Sequence, residues 1–170
     1  MMVTALDVAN TFIMRHSDLY LSNLSLNKLV YFAQVESLRL TGKPLFESEI
    51  QAWQYGPVEP DVYRAFSHHK TAYLTPAGVV KNDEQVNRIV DHVADKYGFL
   101  TAFDLVDYSH RDGGAWKNVY DGTRNKTITI KDILDSDDVV SYPTLEGTMT
   151  QDMHDIYNKY RNTFRLLGDA

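Results

Sequence analysis

Apolar residues recur at helical spacing along most of the chain, interrupted by short polar and glycine-containing breaks. Leu6, Ala9 and Ile13, flanked by Phe12, mark one face of a helix over residues 3–16, which Ser17, Asp18, Ser22 and Asn23 end. Ser25 reads as the N-cap of a second helix, whose Leu26, Leu29, Val30, Phe32 and Ala33 make a broad apolar face before Gly42 and Pro44 stop it. A short strand over residues 50–54 leads to a Gly56-Pro57 break, and Pro60 suits the first turn of a helix through Ser67. Residues 71–81 read as a loop. Asn82, with Gln85 three residues later, opens a helix to Tyr97 with the stripe Val86, Ile89, Val90 and Val93.

Thr101 and Asp104 begin another helix ending at Ser109, and Gly113-Gly114 marks the next turn. Residues 116–120 predict one helical turn, 127–130 alternate like a strand, and 131–134 return to helix. After an acidic, turn-rich stretch, Met149, Met153, Ile156, Tyr157, Tyr160, Phe164 and Leu167 recur by three and four in a final amphipathic helix, with Thr148 and Gln151 as its cap. The pattern predicts a mainly α fold (α+β) of six to seven helices with two short strands. No repeat or linker divides it, and residues 136–170 are expected to pack on the same domain. The final apolar stripe equally suits a homodimer seam.

Composition narrows the function classes. The 170 residues include 44% hydrophobic and 24% charged positions, the proportions of an ordinary globular chain, and a chain of this length needs no disulfide or metal to stay folded. There is no cysteine, which removes disulfides, thiol catalysis and thiolate metal sites. With 17 basic and 23 acidic residues the net charge is −6, so nucleic acid is not an expected partner. No apolar run is long enough to span a bilayer and no signal peptide is visible, and a cytoplasmic location is expected. Residues 131–155 hold seven acids against Lys131 alone, a solvated face that Asp135, Asp137 and Asp138 could turn to steering a basic partner.

Candidate chemistry is sparse. His68-His69 lacks the spacing of metal ligands, and no cofactor or metal is expected. His110, Arg111 and Asp112 bring an acid, a base and a cation together in sequence, but they also suit a helix end before a glycine turn. No nucleophile elbow, phosphate loop or dinucleotide fingerprint occurs. The aromatic content is more informative, with 11 Tyr, 7 Phe and 2 Trp. Trp53, Tyr55, Pro57, Val58 and Tyr63 gather around one turn, where rigid aromatic surface either anchors a partner or packs internally.

Four ordered blocks then carry a resemblance: residues 26–34 with Lys28, Leu29, Tyr31 and Gln34; residues 41–46 with Gly42 and Pro44; residues 50–58 with Trp53, Gly56 and Pro57; and residues 62–66. Together with a later block holding Ser109-His110 and Ala115-Trp116, they resemble the Panacea antitoxin domain of SocA-like antitoxins and phage-associated GepA proteins over residues 4–135. Ala115 stands where the pattern has Pro, and Ser109 where it has Thr. The resemblance implies a non-enzymatic antitoxin of a type II-like toxin–antitoxin system that neutralises a cognate protein toxin by binding it. It also implies two alternatives, a proteolytic adaptor delivering its partner to an AAA+ protease and a phage-associated interaction protein without its own toxin. An enzyme using His110 and nearby acids is a further alternative from the residues alone.

Overall fold

Every residue from Ser25 to Leu38 is buried, so one helix forms the centre of the protein and the other elements are arranged around it. The computed structural model describes residues 2–69 and 73–168, with side chains through residue 161. In order these are α1 (Ala5–Arg15), a 3-10 turn (Ser17–Leu19), α2 (Asn23–Thr41), β1 (Ile50–Trp53), β2 (Gly56–Val58), α3 (Pro60–Phe66), α4 (Glu84–Tyr97) and α5 (Ala102–Ser109). They are followed by α6 (Ala115–Val119), β3 (Lys126–Ile128), α7 (Ile130–Leu134), a 3-10 turn (Asp137–Val139) and α8 (Met149–Gly168). The class is mainly α, with a small antiparallel sheet in the order β2-β1-β3. Among the described residues there are eight α-helices and three strands, one more of each than the hydrophobic pattern predicts at most.

Capping chemistry sets the helix starts and corrects two predicted ones. Ser22, not Ser25, caps α2: its hydroxyl accepts from Ser25 N at 3.1 Å, while Ser25 Oγ accepts from Ser22 N at 2.9 Å. Ser25 is thus the third helical residue of a reciprocal box. Asp83, not Asn82, caps α4 by accepting from Gln85 N and Val86 N, and the Asn82 side chain instead accepts from Asn87 Nδ2 at 2.8 Å. Thr129 caps α7 through Asp132 N, which ends β3 two residues before the predicted strand end.

α2 packs against α1, α3, α4, α5, β2 and the 137–139 turn. Phe12, Leu26, Leu29, Val30, Phe32, Val90, Val93 and Leu105 fill the core, and Phe32 stacks on Tyr97 at 4.4 Å. A helix enclosed on every side also buries polar positions, and each must find a partner. Gln34 donates to Phe46 O at 2.8 Å and accepts from Leu45 N at 2.7 Å, fixing the chain after the left-handed Gly42 cap. Glu36, fully buried, meets Arg39 at 3.1 Å, His92 at 3.2 Å and Tyr142 OH at 3.0 Å.

The expected solvated face fails at Asp138, which is 1% exposed. Its carboxylate accepts from Tyr31 OH and from Ala115 N at 3.1 Å, and Arg111 Nη1 lies 2.7 Å from Oδ1 as an ion pair. Asp138 therefore clamps three segments to α2. Asp135 and Asp137 remain exposed, the former paired with Lys131. α8 is attached at its N-terminus, where Asp104 accepts from Met149 N at 2.7 Å and Thr150 N at 3.3 Å. Burial pushes the Asp104 carboxyl up, but the N–H donors of Met149, Thr101 and Thr150 outweigh it and hold it below the usual carboxylate range. Thr148 Oγ1 also accepts from Gln151 N at 3.0 Å, as the sequence predicts. Along the stripe Met149, Met153 and Ile156 are exposed, while Phe164 and Leu167 lie outside the described side chains.

Asp138→Ala leaves the Tyr31 hydroxyl without its acceptor and the part-buried Arg111 cation without its carboxylate, and is expected to cost about 3–5 kcal/mol in urea denaturation. Asp135→Ala, at an exposed pair, is expected to leave the midpoint nearly unchanged.

Candidate functional site

Beside the first turns of α2 lies a cleft of about 640 Å³, closed by the β1–β2 turn, α3 and the segment after α6. Its walls are aromatic: Trp53, Tyr55, Tyr63 and Tyr120, with Leu24 and Val58 between them. Its polar groups are Asn23, Asn27, Lys28, Gln54 and Arg124.

The strand period puts Trp53 there. Ile50 and Ala52 point into the core, so Gln51 and Trp53 face outward, and the Trp53 indole N–H donates to Gln51 Oε1 at 2.9 Å. Tyr63, one turn into α3, meets the Trp53 ring edge-on at 5.0 Å, and the Arg124 guanidinium stands 5.7 Å above that ring. Behind this layer Trp116 Nε1 donates to Trp53 O at 2.7 Å, and the Trp116 ring is sandwiched between His110 at 3.7 Å and Tyr120 at 4.6 Å. Asn23 Nδ2 donates to Tyr63 O at 3.1 Å, and Asn27 Oδ1 accepts from Glu59 N at 3.3 Å, tying α3 to α2.

Beneath the cleft, Lys28 is sealed from solvent, and its ammonium donates to Pro57 O at 3.0 Å. Burial without a carboxylate beside it pushes this amine down to about 7. Gly56 allows the approach: its φ is +104°, and a Cβ there would lie 2.7 Å from Lys28 Cε and 2.6 Å from Ser109 Oγ. His110 is depressed as well, first by burial and then by Lys28, and its Nε2 is buried with no hydrogen-bond partner among the described residues. The imidazole is stacked flat on the Trp116 ring at 3.7 Å.

The structure thus brings Trp53, Tyr55, Val58 and Tyr63 into one cleft and places Pro57 under it as a backbone acceptor. Asp135, Asp137 and Asp138 do not line it. The motif residues Lys28, Leu29, Tyr31, Gln34, Gly56, His110 and Trp116 are core or junction residues, Gly42 is the exposed cap of α2, and exposed Pro44 leads into buried Leu45 and Phe46. Sequence reasoning missed Tyr120, Arg124, Asn23 and Asn27. Tyr120 had a signal, since it stands four residues from Trp116 on a helical turn. Arg124, in an exposed loop, had none. Among the described residues no group of three or more His, Asp or Glu is placed to hold a metal ion, and no helix is long and apolar enough to cross a membrane.

The family described as Antitoxin SocA-like, Panacea domain, matches residues 26–117, from α2 through the Trp116 layer. The chain belongs to this SocA-like Panacea antitoxin family. It is also 33% identical over 118 residues to Antitoxin SocA of Caulobacter vibrioides (strain NA1000 / CB15N), covering 62% of this chain and 63% of that protein. The chain therefore spans less than two thirds of the length of the curated relative it matches. No solved structure matches it. The family match contains the whole buried junction of Lys28, Gly56, His110 and Trp116, whereas Tyr120 and Arg124 of the cleft fall just beyond it.

The buried amine has a thermodynamic signature. In the unfolded chain Lys28 holds its proton to about pH 10.4, whereas the folded protein releases it near 7, so between these values the unfolded state binds more protons and stability rises with pH. Denaturation midpoints are expected to climb from pH 7 to 9, by up to about 1.4 kcal/mol per pH unit, and Lys28→Met is expected to flatten the climb.

Proposed function

We propose that the protein is an antitoxin that neutralises a cognate protein toxin by binding it directly, as in type II toxin–antitoxin systems, and that the aromatic cleft is the toxin-docking surface. The observation that carries this reading is that Tyr55 is 61% exposed and Tyr63 41% exposed on a hairpin and helix whose backbones are bonded into the core. Large rings held rigidly in partly open positions lose little entropy when covered, which is the character of interface hot spots. Membership of an antitoxin family supports the same reading. The reading places the activity in the cytoplasm and in protein binding rather than turnover.

Co-expression with the product of each neighbouring small gene, scored for growth rescue and then co-purification, tests it. Rescue with a stable complex is expected; rescue without a complex replaces direct binding with delivery to an AAA+ protease. Within the complex, Tyr55→Ala and Tyr63→Ala are each expected to weaken binding by about 2 kcal/mol in calorimetry while cooperative melting persists. Loss of cooperative melting in either variant reassigns that ring to the core.

A further inference from the structure

The sign of the cleft is opposite to that of the chain. The protein carries a net charge of −6, yet among the described residues lining the cleft there are two basic side chains, Lys28 and Arg124, and no carboxylate. The nearest acids in sequence are engaged elsewhere: Glu59 accepts from Val62 N at 2.8 Å, Asp61 pairs with Arg64, and Asp121 pairs with Lys126 at 3.1 Å. Among the described residues no carboxylate pairs with Arg124, whose guanidinium stays over the Trp53 face. Asn23 and Leu24, at the start of the 19-residue α2, add the positive end of a helix dipole to the same wall. A basic amine under a sealed floor, charged when protonated, a guanidinium at the rim and the helix end act in one direction, and the low-dielectric walls strengthen all three.

We infer that this cleft receives an acidic segment of the partner protein, with an Asp or Glu side chain against the Arg124 guanidinium and its apolar neighbours among Trp53, Tyr55 and Tyr63. The inference rests on the cleft being the partner-binding surface. The net charge alone predicts a basic partner, and the local charge of the site reverses that prediction. Trp53 and Tyr63 meet at 65°, an edge-on corner that suits an aliphatic or aromatic side chain better than the flat face of a base, which favours a peptide over a nucleotide. Lys28 is too deeply sealed to touch the carboxylate and acts on it through space. Of the other groups facing Lys28, His110 titrates below its usual range, so Lys28 governs the pH response between 7 and 8.5. An anion bound above Lys28 favours its protonated form, so binding takes up protons and weakens as pH rises.

The test selects phage-displayed random dodecamers against the full chain and titrates the recovered synthetic peptides by tryptophan fluorescence. Recovered peptides are expected to share an Asp or Glu beside an aromatic or aliphatic residue. Changing that acid to its amide, or Arg124→Gln in the protein, is expected to weaken binding at least tenfold. Affinity is expected to fall at least threefold from pH 6.5 to 8.5, and Lys28→Met to abolish that dependence; Arg124→Gln, at an exposed loop position, serves if Lys28→Met does not fold. Peptides that lose affinity with Tyr55→Ala but not with Arg124→Gln overturn the acidic occupant and leave the cleft as a docking surface. Peptides indifferent to Tyr55→Ala overturn the cleft itself, and displacement of the peptides by adenosine monophosphate at micromolar concentration overturns the choice of a protein segment.

Discussion

Complete enclosure of α2 is the constraint on which the rest of the structure depends. A helix with an exposed face can leave its polar residues in water, but from Ser25 to Leu38 this one has no such face. Asn27, Lys28, Tyr31, Gln34 and Glu36 must therefore be satisfied inside the protein, where an unmet donor or acceptor costs about 1–3 kcal/mol. Several of the partners come from outside the α-helices: the 45–46 backbone, the hairpin carbonyl of Pro57, Asp138 and Tyr142. Polar burial in α2 thus organises loops that hydrophobic packing alone would leave underdetermined.

The cleft is a consequence of that arrangement. Lys28 draws the hairpin inward, Gly56 lets it approach, and the hairpin then presents Trp53 and Tyr55 on its outer side. The Trp116 indole completes the support from behind, holding Trp53 O while lying between His110 and Tyr120. The family match spans this supporting layer but stops before Tyr120 and Arg124. The matched segment thus holds the supporting layer together with Trp53, Tyr55 and Tyr63 of the rim.

Much of the fold was legible as pattern. Helical spacing located α1, α2, α4 and α5; Gly42, Gly98 and Thr101 lie at boundaries of the last three and Pro60 opens α3, because local backbone chemistry acts within a few residues. The aromatic group around residue 55 was legible too, since hairpin and helix start are adjacent in the chain. Less legible were features decided by competition between near-equivalent caps, Ser22 against Ser25 and Asp83 against Asn82, where neighbouring side chains chose the winner.

By itself the sequence determined the helix-dominated class, the broad apolar face of the second helix, the turn chemistry at Gly56-Pro57 and the family resemblance, because each rests on local spacing along the chain. Only the tertiary structure decided that Asp138 is a buried clamp rather than a surface acid, since its partners Tyr31 and Arg111 lie 107 and 27 residues away in the chain. Likewise only folding brought Arg124 over Trp53 and placed Lys28 beneath a cleft whose described lining residues carry no carboxylate. Charge and burial are properties of a place in space, and the distances that set them are closed by contacts the chain makes only when it is folded.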